Sequence, residues 1–358
     1  MTLPVINLTR GMPPVDVFPV NDLARCAETA LRHDPATLLQ YGRSPGYKPL
    51  REWLAAQHQV NPDQVLIGNS SLEIFAFITQ IHLGPGTRAC VESPSYDRGI
   101  TLIRRSGAQV VGIPLQEDGL DLDALEAEIK QGPPALVYVV VDFQNPMGTT
   151  TSAEKRRRLA GLAQEHGFWI VEDAPYRALR YRGQEAPTLH SLAPDRVLYL
   201  SSFSKILAPG VRLGYVIGPA ETIAELARWA VDTYIGPVFP TQGMVYEYCR
   251  AGLLAPNIER LKQVYAPRLE ATLEALPKHL PGAAWTRPEG GFYVGVTLPE
   301  GSDMARLLAR ADGAGLKLTD GRGFYPVPED GNRFLRVPFC SVTPEEIEEA
   351  MARLARIV

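Results

Sequence analysis

The chain has 358 residues, more than one hydrophobic core usually serves, so two domains are expected. With 45% hydrophobic and 21% charged residues it has an ordinary globular composition, and a net charge of -4 excludes the basic surface of a general nucleic-acid binder. Cys26, Cys90, Cys249 and Cys340 stand too far apart for CxxC or Cys/His ligand spacing, so no metal site is expected, and sparse unpaired thiols fit a reducing compartment.

Residues 1–7 lack a basic stretch followed by an apolar run, so no signal peptide is expected. The longest fully apolar run, residues 135–141, is too short to span a bilayer. These features predict a cytoplasmic protein without a membrane or nucleic-acid partner.

From residue 50 to 219 short apolar runs alternate with helical stretches. Strands are predicted at 64–67, 88–92, 110–114, 135–141, 169–172, 197–201 and 214–217. Several are continuously apolar, as in a mostly parallel sheet with helices on both faces. Ser70-Ser-Leu-Glu73 reads as a capping box for a helix over 72–82. Thr151-Ser-Ala-Glu154 reads as another, for a helix through His166 on which Arg156, Arg157 and Arg158 form a solvated face. The C-terminal third has a long helix over 257–280, strands at 291–297 and 333–337, and a helix over 303–314 between them. Thr343-Pro-Glu-Glu346 caps a last helix with Ile347, Met351, Leu354 and Val358 along one stripe. The mixture suggests a smaller α+β domain.

Lys205 follows the strand at 197–201, where open α/β sheets place their ligands. Ser202 and Ser204 before it, and Arg212 seven positions after it, could hold a phosphate. The plain alternative is a surface lysine. Asp173 ends an apolar run, Phe168-Trp-Ile-Val171, where a carboxylate is costly without a partner. It is either paired with a buried cation or caps the next turn; Tyr176 beside it is a site residue or a core aromatic. Phe143-Gln-Asn145-Pro-Met-Gly148 has loop chemistry, and the Asn145 amide could donate to a ligand. Gly68-Asn-Ser-Ser71 opens a helix whose free backbone amides, at Asn69 and Ser70, could bind phosphate; it is equally a plain cap.

In order along the chain, these motifs resemble those of the class I/II aminotransferases of pyridoxal-5′-phosphate (PLP) fold type I. They look most like the branch holding α-aminoadipate and kynurenine aminotransferases and the enzyme-like domain of MocR regulators. The resemblance covers nearly the whole chain. It runs from Gly11-Met-Pro-Pro, through Tyr41-Gly-Arg-Ser-Pro-Gly-Tyr and Glu92-Ser-Pro-Ser-Tyr96, to Gln144-Asn-Pro and Glu172-Asp-Ala-Pro-Tyr176. It continues through Ser202-Phe-Ser-Lys205, Pro209-Gly-Val-Arg212 and Pro288-Glu-Gly-Gly-Phe292 to Phe334-Leu-Arg336-Val-Pro-Phe339. The chain departs from the family pattern at 68–71, where Gly-Ser-Gln-Gln is common, and at Val141, where a proline is common.

The resemblance implies an α/β fold of PLP fold type I: a mostly parallel central sheet in a large PLP-binding domain, 38–255, with a smaller α+β domain, 256–358. An N-terminal segment, 1–37, would pack with the small domain. It implies Lys205 as the Schiff-base lysine and proton carrier, with Asp173 on the pyridine nitrogen. Asn145 and Tyr176 would hold the phenolic oxygen, and Tyr96 would stack on the ring. Ser202, Ser204, Arg212 and the amides of Asn69 and Ser70 would hold the phosphate. Tyr41 would reach the phosphate of a neighbouring subunit, making a homodimer with shared sites. Arg336 would clamp the substrate carboxylate, with Asn145 and Gly11 beside it.

The implied reaction moves an amino group from an amino acid to a 2-oxo acid. The same fold and lysine also serve β-lyases acting on C–S bonds. A MocR-type sensing domain would need a winged helix and basic linker, which the sequence lacks. Side-chain selectivity is expected from loops near 10–20, 233–241 and 318–326. There Tyr234, Phe239 and Phe324 are either pocket or core residues.

Overall fold

The computed structural model describes residues 4–358; the first three residues of the expected N-terminal segment lie outside it. Its centre is an eight-stranded sheet in the order Val65–Gly68, Gly214–Ile217, Val197–Ser202, Trp169–Asp173, Leu136–Val139, Arg88–Ser93, Gln109–Gln116, Gly119–Leu120. The five strands from Val197–Ser202 to Gln109–Gln116 pair in parallel. Gly214–Ile217 runs antiparallel to both its neighbours. All seven strands read between residues 50 and 219 are present in this sheet; its two-residue edge strand, too short to carry a pattern, was not expected.

Alternation along each strand divides the apolar residues between two cores. On one face Leu136, Tyr138 and Val140 join Ile74, Phe75 and Ile78 of helix Ser71–His82. On the other, Val137, Val139 and Val141 join Leu159, Leu162 and Ala163 of helix Ala153–His166. Covered on both sides, the central strands gain nothing from polar residues, which is why they read as continuous apolar runs.

A smaller antiparallel sheet follows in the C-terminal part, Ala284–Trp285, Tyr293–Thr297 and Phe334–Pro338, in which Gly295 lies opposite Arg336. Helices Leu254–His279 and Pro344–Ala355 pack together beside it. The last helix starts in a full capping box: the Glu346 amide donates to Thr343 Oγ1 at 3.2 Å, and the Thr343 amide to Glu346 Oε2 at 2.8 Å. Its stripe buries Ile347, Met351 and Leu354, each contributing about 1.5–3 kcal/mol. Val358 does not extend the stripe. The helix ends at Ala355, so Ile357 turns inward and Val358 stays 38% exposed.

The N-terminal segment, expected to pack with the C-terminal part alone, makes contacts in two places: Ile6–Leu8 pairs in parallel with Leu316–Leu318, while helix Val20–His33 packs against Phe239–Arg250.

Two local readings need correction. Helix Ala153–His166 is capped by Ser152, whose Oγ accepts the Lys155 amide, because Thr151 is still bound through its own amide to Val141. Arg156 is not part of a solvated face. It is fully buried, bonded to both oxygens of Asp142 and to the carbonyls of Val141, Thr151 and Pro187. Burial pushes the Asp142 carboxyl up, but its bonds to Arg156 and the Arg177 charge outweigh that and hold it low. Arg157 and Arg158 are exposed, as expected.

Candidate active site

The C-terminal ends of the parallel strands open into a cavity of about 620 Å³, roofed by the N-terminal segment and the smaller sheet. Asp173 closes its strand, and Lys205 stands three residues beyond Ser202. Both side chains line the cavity, with Tyr96, Asn145, Tyr176, Ser70, Ser202, Ser204, Arg212, Gly11 and Arg336. Of the site residues expected from the sequence, the fold leaves only Asn69 and Tyr41 outside this cavity.

Asn69 is turned away. Its amide donates to Glu73 Oε2 at 2.9 Å, and its Oδ1 accepts the Val238 amide at 2.9 Å. The same bond spoils the expected capping box: Ser70 Oγ accepts the Glu73 amide at 3.0 Å, but the Glu73 carboxylate returns to Asn69 instead of Ser70. Ser70, Ser71 and Leu72 remain at the cavity, where the first turn of the helix presents N–H groups. Gly214 permits this approach, since a Cβ there would collide with the Ser71 amide. Arg212 takes a left-handed conformation, φ 47°, on the turn beside it.

Lys205 Nζ donates to the Gly11 carbonyl at 3.2 Å. Burial lowers its pKa, and the positive charges of Arg336 and Arg212 push the same way, so the free amine is more accessible than in an ordinary lysine. Asp173 is buried. Its Oδ2 accepts from Tyr138 Oη at 2.7 Å; its Oδ1 is buried with no partner among the described residues. Burial pushes this carboxyl up to about 6, against the opposing pull of Tyr138 and Lys205.

Asn145 is held by a rigid loop. Glu92 Oε2 accepts from the Val140 amide at 3.2 Å and from Gln144 Nε2 at 2.9 Å, while Gln144 Oε1 accepts the Met147 amide at 2.8 Å. Phe143 in this loop has φ 55°, and Gly291 lies against it so closely that a Cβ would collide with Phe143 Cβ. The Asn145 Oδ1 accepts Arg336 Nη1 at 2.9 Å, which orients the amide NH₂ away from the arginine.

Arg336 is buried, not a surface residue of its strand. Its Nη2 donates to the Thr9 carbonyl at 2.6 Å, and its guanidinium lies 4.6 Å from the ring centres of both Tyr293 and Phe324. The rings fix the plane of the fork by cation–π contact. Phe324 thus supports the site from the core. Phe239 packs on Tyr47 and Tyr234 on Phe77, and neither lines the cavity. Of the loops expected to confer selectivity, the first contributes Arg10, Gly11 and Met12 and the last Leu318 and Thr319.

Tyr138, Tyr293, Thr9 and Ser71 are site residues that the sequence reading missed. Tyr293 immediately follows the Gly-Gly-Phe motif, and its hydroxyl lies 3.3 Å from that of Tyr176. A hydroxyl inside an apolar strand run is a signal for Tyr138; the other two act through backbone position.

A lysine and an acceptor-only carboxylate facing one cavity at the strand ends, on this sheet order, define a PLP enzyme of fold type I. The chain belongs to the aspartate amino-transferase family, whose pattern matches residues 3–358. It is 34% identical to aromatic-amino-acid aminotransferase 1 of Thermococcus litoralis, covering 100% of this chain and 88% of that one. The α-aminoadipate aminotransferase of Thermus thermophilus, solved with N-(5′-phosphopyridoxyl)-L-leucine, superposes with a TM-score of 0.93 at 31% identity, covering 99% of this chain and 92% of that one. The kynurenine aminotransferase of Pyrococcus horikoshii superposes at 0.95 with 34% identity, covering 99% and 91%. This protein is accordingly a PLP-dependent aminotransferase of the aminoadipate/kynurenine branch.

Proposed function

We propose that the enzyme moves an amino group from an L-amino acid to a 2-oxo acid, with the cofactor and the substrate carboxylate held by the residues collected at the strand ends. The observation that carries this reading is the one cavity lined by Lys205, by Asp173, whose buried Oδ1 has no partner among the described residues, and by Arg336. The residues fit PLP. Asp173 offers a buried acceptor, without a partner among the described residues, for a ring nitrogen proton; Ser70, Arg212 and the first turn of helix Ser71–His82 would offer donors to a phosphate, as would Ser202 and Ser204 on release of the bonds that join their hydroxyls to each other and to the Leu213 carbonyl.

When bound, PLP supplies an aldehyde for the incoming amine and a ring that accepts the electron pair released at Cα. Lys205, with its lowered pKa, is the amine that anchors the cofactor and the base that carries the Cα proton. Asp173 would keep the ring nitrogen protonated by supplying a negative charge. The NH₂ of Asn145, left free by the bond of its Oδ1 to Arg336, and the hydroxyl of Tyr176 would donate to the phenolic oxygen, and Tyr96, which lines the same cavity, would cover one ring face. Gly11 leaves room for substrate and gives Lys205 its carbonyl contact; a side chain there would collide with Tyr293.

Arg336 binds the substrate α-carboxylate. Arg336→Lys keeps the charge but loses the planar fork that bonds Asn145 and the Thr9 carbonyl while presenting paired N–H groups to a carboxylate. Charge-assisted bonds of about 1.5–3 kcal/mol make the expected loss in kcat/KM roughly ten- to two-hundred-fold. PLP content should hardly change. Steady-state kinetics with a panel of amino donors against 2-oxoglutarate, with product analysis, measure both the reaction and this penalty. Release of PLP by Arg336→Lys, or no amino transfer with any donor, defeats the reading.

The same reading makes the enzyme a cytoplasmic homodimer. Tyr41 is 79% exposed in a shallow groove with Leu39 and Val238, which are also exposed, so it is free to reach a second copy's phosphate. No helix among the described residues is long and apolar enough to cross a membrane. Sedimentation is expected to give twice the chain mass, and Tyr41→Phe to weaken PLP retention. A fully active monomer rules this out.

A further inference from the structure

We propose that Tyr138 is the positioning residue of Asp173: its hydroxyl holds one carboxylate oxygen, so that the other faces the cofactor nitrogen as an anion. The inference rests on the role proposed for Asp173. It begins from a bond between neighbouring strands. Tyr138 lies opposite Val171 in the sheet, and its hydroxyl reaches two residues along to Asp173 Oδ2 at 2.7 Å. Both side chains are buried. The remaining oxygen, Oδ1, has no partner among the described residues, and Asp173 lines the cavity.

The tyrosine itself cannot drift. Phe75 packs on its ring with centroids 4.8 Å apart, and Gly99 leaves the space beside it, where a Cβ would stand 3.0 Å from Cε1. A rigid ring gives a fixed donor, and a fixed donor on Oδ2 sets the rotation of the carboxylate. Few ionisable groups face Asp173. Lys205 lies across the cavity and favours its charge, and the Asp173 charge in turn helps push the Glu92 carboxyl and the Tyr96 phenol up, so that both stay neutral beside it. Burial favours the neutral acid, and among the described residues Tyr138 is the one hydrogen-bond donor that opposes this. Burial also keeps the Tyr138 phenol protonated far into alkaline pH, so it remains a donor throughout the working range. Without that hydroxyl, a buried carboxylate has neither oxygen satisfied. It takes up a proton more readily and no longer offers charge to a protonated ring nitrogen.

Tyr138→Phe keeps the ring and removes only the donor. The test is the affinity of the apo-enzyme for PLP between about pH 5.5 and 8.5, for the native protein, Tyr138→Phe, Asp173→Asn and the double variant. Tyr138→Phe should bind PLP about tenfold more weakly near neutral pH. The defect should shrink toward the alkaline end of that range, where Asp173 is ionised with or without its donor. In the Asp173→Asn background the same change should add less than about twofold, because the amide carries no charge for the Tyr138 hydroxyl to preserve. Native affinity in Tyr138→Phe, a defect independent of pH, or an equal defect in both backgrounds overturns the inference while leaving Asp173 in place. Unchanged PLP binding in Asp173→Asn removes the role of Asp173 and this inference with it. Should Tyr138→Phe not fold, Tyr138→Gln, which keeps a donor, should bind PLP more tightly than Tyr138→Leu; equal affinities overturn the inference.

Discussion

Replacing Lys205 with alanine should abolish amino transfer, and borohydride treatment of the native enzyme should fix a pyridoxyl group on Lys205 and on no other lysine. Lys205 is the only lysine among the residues lining the cavity. Its Nζ is held toward the N-terminal segment by the Gly11 carbonyl and not by a carboxylate, so no ion pair has to break before the amine reacts. Burial already disfavours its charged form. On the proposed function two roles disappear with the side chain: the covalent anchor and the carrier of the Cα proton. Loss of a positioned proton carrier alone costs about 10²–10⁴-fold, and the two losses compound in turnover. Native protein should be yellow and lose that colour on addition of an amino donor; the alanine variant should show neither change. Pyridoxyl on a different lysine, or turnover above a few per cent in the variant, would sink the assignment.

The fold was legible because the central strands obey one constraint. A strand covered on both faces is apolar at every position, so residues 136–139 and 214–217 declare themselves without any partner being known. The last helix was legible for a local reason, the capping box at Thr343 and Glu346. Lys205, Asp173 and Ser202 were legible as chemistry placed at strand ends, while their roles came from the family resemblance. What stayed hidden depends on contacts distant in sequence. Arg156 sits among two other arginines on a helix, and only the fold reveals that Asp142 lies under it. Asn69 carries the right backbone for a phosphate loop, but Glu73, four residues on, takes its amide. Thr9 contributes a carbonyl to Arg336 across 327 residues, and a carbonyl leaves no mark on the side-chain sequence. Phe324 was one of three aromatic candidates for a substrate wall; its ring instead backs the arginine fork.

Asp173→Asn should still take up PLP at saturating cofactor yet lose about 10²–10³-fold in turnover, the usual scale for removing a preorganised electrostatic partner. The amide matches the carboxylate in shape and can still accept from Tyr138, so what disappears is charge. A ring nitrogen without that charge beside it loses its proton and draws electrons from Cα less strongly. The apo-enzyme gives a second, independent readout. In the folded chain the carboxyl titrates at about 6, against an ordinary value of 3.8, because it is buried without a cation on Oδ1. A raised carboxyl contributes stability only while protonated. The contribution is full below the unfolded value and is lost as pH rises through the folded one. At about 1.36 kcal/mol per pH unit, the native apo-enzyme above pH 6 carries a penalty of about 3 kcal/mol that the asparagine variant lacks. Urea unfolding of the two apo-proteins should therefore show the variant more stable at about pH 7.5, with the advantage roughly halved at about pH 5. PLP should reverse the order, because its protonated nitrogen supplies the cation that the carboxylate lacks. Equal apo stabilities at both pH values, with near-native turnover, would mean that Asp173 is merely a buried acid and that the electron sink is held by another group.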